Sequence, residues 1–302
     1  MTAVVFYHAN CTDGFGAAFS AWKVLKQNAE YIPIKYGQIN SLNDVDLLGK
    51  LEGRDVFILD FSFPLEVMNY ILGSARHVTW LDHHKTAFEM WVPEKPFADD
   101  SFYEFKTPTS YILLDNSRSG ARIAWDHFVG DEVPRLIMHI DDYDRWQFKN
   151  SNTKAFGRAL RAMEPWSFDQ WENKLNWAEH GETYLEIIEL GQALLDDHSN
   201  RVKNALKSKR ACIIPTADSI YAGAAVNAGP DMASDVGHEL AKETGTFGLV
   251  YYIGSELTVK CSFRSNGAYD VSKLAKHFGG GGHKNAAGAE ISVTQLLHFL
   301  GG

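Results

Sequence analysis

HVTWLDHHK, residues 77–85, carries apolar and β-branched residues from Val78 to Leu81 and closes on an aspartate, two histidines and a lysine. Such residues suit a buried strand, where side chains alternate between faces. Asp82 and His84 would then point one way and His83 the other. Three adjacent polar groups cannot all be sheltered cheaply in a core, so the triplet reads as a site at a strand end. The same pattern recurs upstream. AVVFYH (3–8) runs into His8 and DVFILD (55–60) into Asp60, while YIPIKY (31–36) is a further short strand. Between them FGAAFSAWKVLKQ (15–27) carries apolar residues at helical spacing, and PLEVMNYILG (64–73) has a proline to start a helix and a glycine to end it. Alternating strands and helices predict an α/β fold whose N-terminal, mainly parallel sheet is flanked by helices and joined by right-handed crossovers. Ligands of such sheets bind beyond the carboxyl ends of the strands. That is where these polar groups converge.

Residues 88–110, rich in proline, aspartate and aromatics, read as an irregular excursion. SGARIAWDHFVG (119–130) predicts a helix capped by Ser119 and stopped by Gly130. Residues 133–148 predict another that runs into Asp141, Asp142 and Asp144, and the tryptophan-rich stretch 164–177 suits satellite core helices. A long, charged, leucine-periodic stretch (181–208) suits a linker helix, despite Gly191 in its middle. Beyond it the pattern turns strand-rich at 211–215, 246–253 and 257–265, with helices at 234–243 and 270–278, and ends in FGGGGHKNAAGAEI (278–291). The expected organisation is a catalytic domain over 1–182, a connecting helix over 183–208 and a smaller C-terminal α/β domain over 209–302.

A length of 302 residues exceeds what one core usually serves. A net charge of -9 argues against a protein that grips long duplex nucleic acid through many phosphates, but leaves room for one local anion pocket. Three scattered cysteines, Cys11, Cys212 and Cys261, suit a reducing cytoplasm, and MTAVVFYH lacks the character of a signal peptide. No run approaches the ~18 apolar residues of a membrane span. A cytoplasmic location is the expectation.

Carboxylates with a few imidazoles suit Mn²⁺ or Mg²⁺, and Zn²⁺ less well. Two ions about 3.5–4 Å apart can share a bridging carboxylate, activate water and stabilise a leaving phosphoryl oxygen. Asp60 is the expected bridge. His8 would serve one ion, and Asp13, His83 and Asp142 the other. Asp82 or a backbone carbonyl would fix the His83 tautomer, and His84 would face substrate phosphate. Separately, the glycine run Gly279–Gly282 can bring backbone N–H groups close to an anion, with Gly280, Gly281, Gly282, His283 and Arg264 as the expected substrate contacts.

These residues resemble the DHH phosphoesterase superfamily. YHANCTDGFGAA (7–18), FILD (57–60), LDHHK (81–85) and IDDYDRW (140–146) are similar to its first four motifs, and GGGGHKNAAG (279–288) to the signature of its DHH-associated C-terminal domain, found in RecJ-like nucleases and nanoRNases. The motifs keep the family's order from residue 7 to residue 288. The resemblance implies a two-domain, manganese-dependent phosphohydrolase binding substrate in the cleft between its domains, with Asp60, His83 and His84 catalytic. It looks most like the oligoribonuclease branch, which cuts short oligonucleotides (nanoRNA or dinucleotides) to mononucleotides. Polyphosphate, pyrophosphate or cyclic nucleotides are the alternative substrates, and a catalytically weak nucleotide-binding regulator is the alternative of another class. The expected partners are a short oligonucleotide or a phosphorylated small molecule, with no long duplex, no membrane, and a homodimer left open. Two departures stand out. The first motif usually carries two aspartates two residues apart, and here the first falls on Cys11, beside Asn10. The fourth is ambiguous between Asp142 and Asp144, of which the spacing to Trp146 favours Asp142.

Overall fold

The computed structural model describes residues 2–98, 100–163, 165–179, 181–216, 219–254 and 258–301, without the side chains of 174–178 and 283. Its elements follow in the order β1 (Ala3–His8), α1 (Thr12–Leu25), β2 (Ala29–Ile34), β3 (Asp55–Leu59), α2 (Leu65–Ser74), β4 (His77–Asp82), α3 (Lys85–Trp91), β5 (Phe102–Lys106), β6 (Ser110–Asp115), α4 (Gly120–Phe128), α5 (Arg135–Asp144), α6 (Thr153–Ala162), α7 (Phe168–Glu179) and α8 (Gly181–Leu206). They continue with β7 (Arg210–Pro215), β8 (Ile220–Asn227), α9 (Ala233–Thr244), β9 (Phe247–Ile253), β10 (Val259–Ser265), α10 (Val271–His277), β11 (Gly281–His283), β12 (Ala286–Ile291) and α11 (Val293–Phe299). The chain divides into two compact units between Leu194 and Leu195, within α8.

The first unit is an α/β layer structure. Its sheet has the order β2-β1-β3-β4-β6-β5, parallel throughout except for the β5–β6 pair. Alternation along the strands supplies both faces. Val5, Leu59 and Leu81 enter a core with α1, α4, α5, α6 and α7, while Phe6, Ile58 and Trp80 enter a second core with α2 and α3. Because β1 lies between β2 and β3, the chain reverses its direction of progress across the sheet there. Such a switch point opens a crevice at the carboxyl ends of the strands.

Two expectations are corrected in this unit. The stretch 88–110 is not irregular, since it completes α3 and contains β5. The β5 strand is largely exposed at the sheet edge, so it lacks the buried-exposed alternation by which a strand is recognised. Helix α2 runs through Gly73 to Ser74, its backbone still in helical register.

One buried group in this unit has a consequence for pH. His139, almost fully buried on α5, contacts Thr153 Oγ1 through Nδ1 and Tyr184 Oη through Nε2, each at 3.0 Å. The Thr153 hydroxyl donates to Asp142, so Nδ1–H donates to Thr153 and bare Nε2 accepts from Tyr184. Burial holds the imidazole pKa down to about 4, with the Asp142 charge opposing the shift. The folded group is therefore neutral where the unfolded chain begins to protonate, near 6.5. Stability is lost as pH falls from about 6.5 towards 4, by at most about 3 kcal/mol from this residue. His139→Gln keeps both contacts without titrating. Its urea midpoint should fall less between pH 7 and pH 4.5 than that of the wild type, and an equal fall in both would exclude the residue as the source.

The second unit carries a sheet of order β11-β12-β10-β9-β8-β7, antiparallel except for the β8–β9 pair. One face packs on α10 and α11 through Phe247, Phe263, Leu274 and Phe299. The other packs on α9 and the end of α8 through Val202, Val236, Leu240 and Val250. Strand β8 and the strands around the glycine run were not expected from sequence. Alanine and glycine in IYAGAAVN and NAAGAEI carry little strand propensity, and pairing with β9 and β10 supplies what the local signal lacks.

Candidate metal centre

His8 ends β1, Asp60 follows β3, and Asp82-His83-His84 ends β4. All three lie at the carboxyl edge of the sheet, beside the β1/β3 switch point. Asp60 has φ +62°, a left-handed conformation that a non-glycine residue adopts at a cost. Its backbone N–H donates to Leu81 O at 2.9 Å, which ties the turn to β4. Asp13, in the first turn of α1, is fully buried, and its carboxylate accepts from the N–H groups of Gly120 (2.7 Å) and Ala121 (2.8 Å) at the start of α4. Ser119 caps that helix by accepting from Arg122 N–H, as the sequence leads one to expect.

Three overlapping sets of potential ligands result among the described residues. They are His8–Cys11–Asp60, Asp60–His83–His84 and Asp13–His83–Asp144, each offering ligand atoms within 4.8 Å of one another. His83 Nε2 stands 3.1 Å from Asp60 Oδ1, 3.5 Å from Asp13 Oδ2 and 3.5 Å from Asp144 Oδ2. His8 Nδ1 lies 3.5 Å from Asp60 Oδ2, and both atoms are buried without a hydrogen-bond partner.

The electrostatics match the crowding. Burial, reinforced by the Asp60 and Asp144 charges, pushes Asp13 well above the usual carboxylate range. Asp144, though exposed at its outer side, is also raised, by desolvation of its inner side first, with His83 opposing and Asp60 adding to it. Burial works to raise Asp60, but the neighbouring His8 and His83 imidazoles prevail and hold it down. Burial opposes the charge on His83, yet the Asp60 bond and the surrounding carboxylates push its pKa well above 6.5. Burial, followed by the Asp60 charge, pushes the Cys11 thiol up. Carboxylates crowded around one imidazole, Asp13 and Asp60 buried and Asp144 at the surface, with orphaned oxygen and nitrogen atoms among them, fit a divalent cation in chemical character.

Asp142 is the correction. Its carboxylate accepts from Lys149 N–H (2.8 Å), Asn150 N–H (3.1 Å) and the Thr153 hydroxyl (2.6 Å), which organises the turn between α5 and α6. Asp144, not Asp142, stands beside His83. Asp82 also has a different task from the one anticipated. Its Oδ1 accepts from the N–H groups of His83 (2.7 Å) and His84 (3.2 Å) and lies 2.7 Å from His84 Nδ1. It orients His84, while the His83 ring turns to the three other carboxylates.

The remaining expected contacts belong to the second unit. Arg264, on β10, donates to Phe263 O (2.9 Å) and Ser234 Oγ (3.0 Å). Gly281 and Gly282 pair with Gly288 and Ala287 in the β11–β12 ladder, so the glycine run is an edge strand here rather than an open loop. A side chain on Gly280 would collide with Gly288 O at 2.1 Å. The His283 side chain lies outside the described residues.

Some site residues went unread in the sequence. Tyr36, two residues past β2, sets its ring 5.0 Å from His8 and 6.2 Å from His84. Its place beyond the strand next to β1 is the signal that would have found it. Asn116 Nδ2 donates to His83 O at 3.0 Å. Gly120 matters through what it lacks, because a Cβ there would sit 2.5 Å from both Cβ and Oδ1 of Asp60. Alanine is the better helix former, so Gly120→Ala separates local propensity from site geometry. We expect kcat to fall by roughly 10²-fold as Asp60 is displaced. Unchanged turnover in a folded variant would show that the contact does not position Asp60.

Known proteins share parts of this arrangement. Residues 220–300 match the DHHA1 domain. The chain is 26% identical over 303 residues to oligoribonuclease NrnB of Bacillus subtilis (strain 168), covering 95% of this chain and 72% of that protein. The chain thus carries a DHHA1 domain and is similar to DHH-family phosphoesterases. Uncharacterized protein R106 of Acanthamoeba polyphaga mimivirus is also similar, 27% identical over 302 residues, covering 96% of this chain and 67% of that one. A solved structure, the pGpG-specific phosphodiesterase PggH of Vibrio cholerae, aligns at TM-score 0.46 with 13% identity, covering 99% of this chain and 96% of that one. Such phosphoesterases are metal-dependent hydrolases, and the three potential ligand sets of this chain suit that chemistry.

Proposed function

We propose that the chain hydrolyses short oligonucleotides, nanoRNA or dinucleotides, to mononucleotides with two Mn²⁺ ions, Mg²⁺ being the nearest substitute. The observation that carries the reading is Asp60, a buried carboxylate shared by two of the ligand sets and left with an orphaned oxygen. The likeness to an oligoribonuclease supports the substrate class.

In this reading His8 and Asp60 hold one ion, and Asp60, Asp13, His83 and Asp144 hold the other. Bound there, the ions supply Lewis acidity towards the phosphoryl group and lower the pKa of water. The chain's own residues set the geometry. Asp13 is aimed by two N–H groups of α4, and Asp60 is fixed by its tie to β4. His84, oriented by Asp82, would donate to a non-bridging phosphate oxygen. Burial works against charge on its ring, but the Asp82 carboxylate outweighs it and raises the pKa, which favours that donor role. Arg264, Gly280–Gly282 and His283 are proposed to hold a phosphate or the nucleotide end of the substrate. Three free thiols suit the reducing cytoplasm as the site of action.

The test is mononucleotide release from 5′-labelled RNAs of two to about ten nucleotides, with Mn²⁺ and with EDTA, a range set by the few nucleotides that one small binding module spans. Metal-dependent release that is fastest on the shortest RNAs is expected. No release at any length, with turnover of cyclic nucleotides or phosphoanhydrides, would replace the substrate class.

A further inference from the structure

Within that two-ion reading, on which this inference rests, the two positions are chemically unequal. We propose that His8, Cys11 and Asp60 form a mixed nitrogen–sulfur–oxygen position that prefers a thiophilic divalent ion such as Zn²⁺ or Co²⁺ over Mn²⁺. The neighbouring position, Asp13–His83–Asp144 with Asp60, has mainly oxygen donors and suits the harder ion.

The geometry assigns the sulfur to the site. One ligand atom each from His8, Cys11 and Asp60 lies within 4.8 Å of the other two. Cys11 occupies the N-cap of α1, yet its side chain makes no capping hydrogen bond. The second observation is independent of the cysteine. Asp60 is 1% exposed, and its Oδ2 has no hydrogen-bond partner, nor has the neighbouring His8 Nδ1. A buried polar atom left in this state costs about 1–3 kcal/mol, a cost that ligation by these two atoms and the sulfur would remove.

Ligand softness then decides the ion. Thiolate selects Zn²⁺ and its thiophilic neighbours, whereas a carboxylate-rich set suits Mn²⁺ or Mg²⁺. On binding, the Cys11 S–H bond breaks, its electron pair becomes the sulfur–metal bond, and the proton passes to solvent. No oxidant or reductant is involved. Cys212 and Cys261 do not compete for this role, because both are buried in the core of the second unit.

The experiment loads the metal-free full chain with Co²⁺ and follows two quantities: bound ions per chain by equilibrium dialysis, and the near-ultraviolet thiolate-to-cobalt charge-transfer band. Wild type should bind two ions and show the band. Cys11→Ser, which retains the other two thiols, should still bind Co²⁺ but lose the band. Cys11→Asp should lose it too, and its preference for Zn²⁺ over Mn²⁺ in competition should fall at least ~10-fold. Two ions bound without the band, or a band that persists in Cys11→Ser, would overturn the thiolate assignment and leave the two-ion reading standing. Fewer than two ions in the wild type would overturn both.

Discussion

Replacing Asp60 by alanine is expected to lower kcat on a dinucleotide by ~10³-fold or more, because one change removes the carboxylate common to two of the potential ligand sets. The bound metal should fall below two ions per chain in the same variant. Asp60 is held by its backbone bond to Leu81, which the substitution leaves in place, so the turn should persist. Removing the carboxylate also removes the hydrogen-bond partner of His83, and Asp60→Asn restores one acceptor there without the charge. If Asp60→Asn folds like the wild type and remains as inactive as Asp60→Ala, charge and ligation are the cause. A folded Asp60→Ala variant that binds two ions and turns over within a few-fold of wild type would remove Asp60 from the centre.

The second large effect separates two neighbouring aspartates. Asp144→Asn is expected to reduce kcat by ~10²-fold or more, with little change in the urea midpoint, because its carboxylate faces His83 in the ligand set. Asp142→Asn should do the reverse. It disturbs three hydrogen bonds between α5 and α6 and should cost about 1–3 kcal/mol of stability with only a few-fold change in turnover. Steady-state kinetics and urea titrations on both variants decide the assignment. Loss of turnover in Asp142→Asn and its retention in Asp144→Asn would reverse the roles.

That pair shows how far the sequence was legible. The strands that end in His8, Asp60 and Asp82 announced themselves through apolar runs closed by ligand-type residues, and the sheet places all three ends at one edge. The choice among Asp141, Asp142 and Asp144 depends on the rotation of α5. Residues three apart share a helix face. Asp141 accepts from Ser119 N–H at 2.7 Å and Asp144 reaches His83, while Asp142 turns aside to the α5–α6 loop. Helical spacing was therefore a better guide than the distance to Trp146. Gly120 was unreadable for another reason, since its role is set by how closely the start of α4 approaches Asp60, a tertiary distance that leaves no local pattern. The strand character of the glycine run was hidden by its composition. Backbone permissiveness suggested an open anion loop, but pairing with β12 makes its last residues an edge strand.

Whether two divalent ions meet at Asp60 is decided by anomalous diffraction from crystals grown with Mn²⁺ as the sole divalent ion. Two anomalous peaks are expected in contact with the Asp60 carboxylate, one also bordered by His8 and Cys11, the other by Asp13, His83 and Asp144. A single peak, or peaks at Asp142 with none at Asp60, would contradict that expectation.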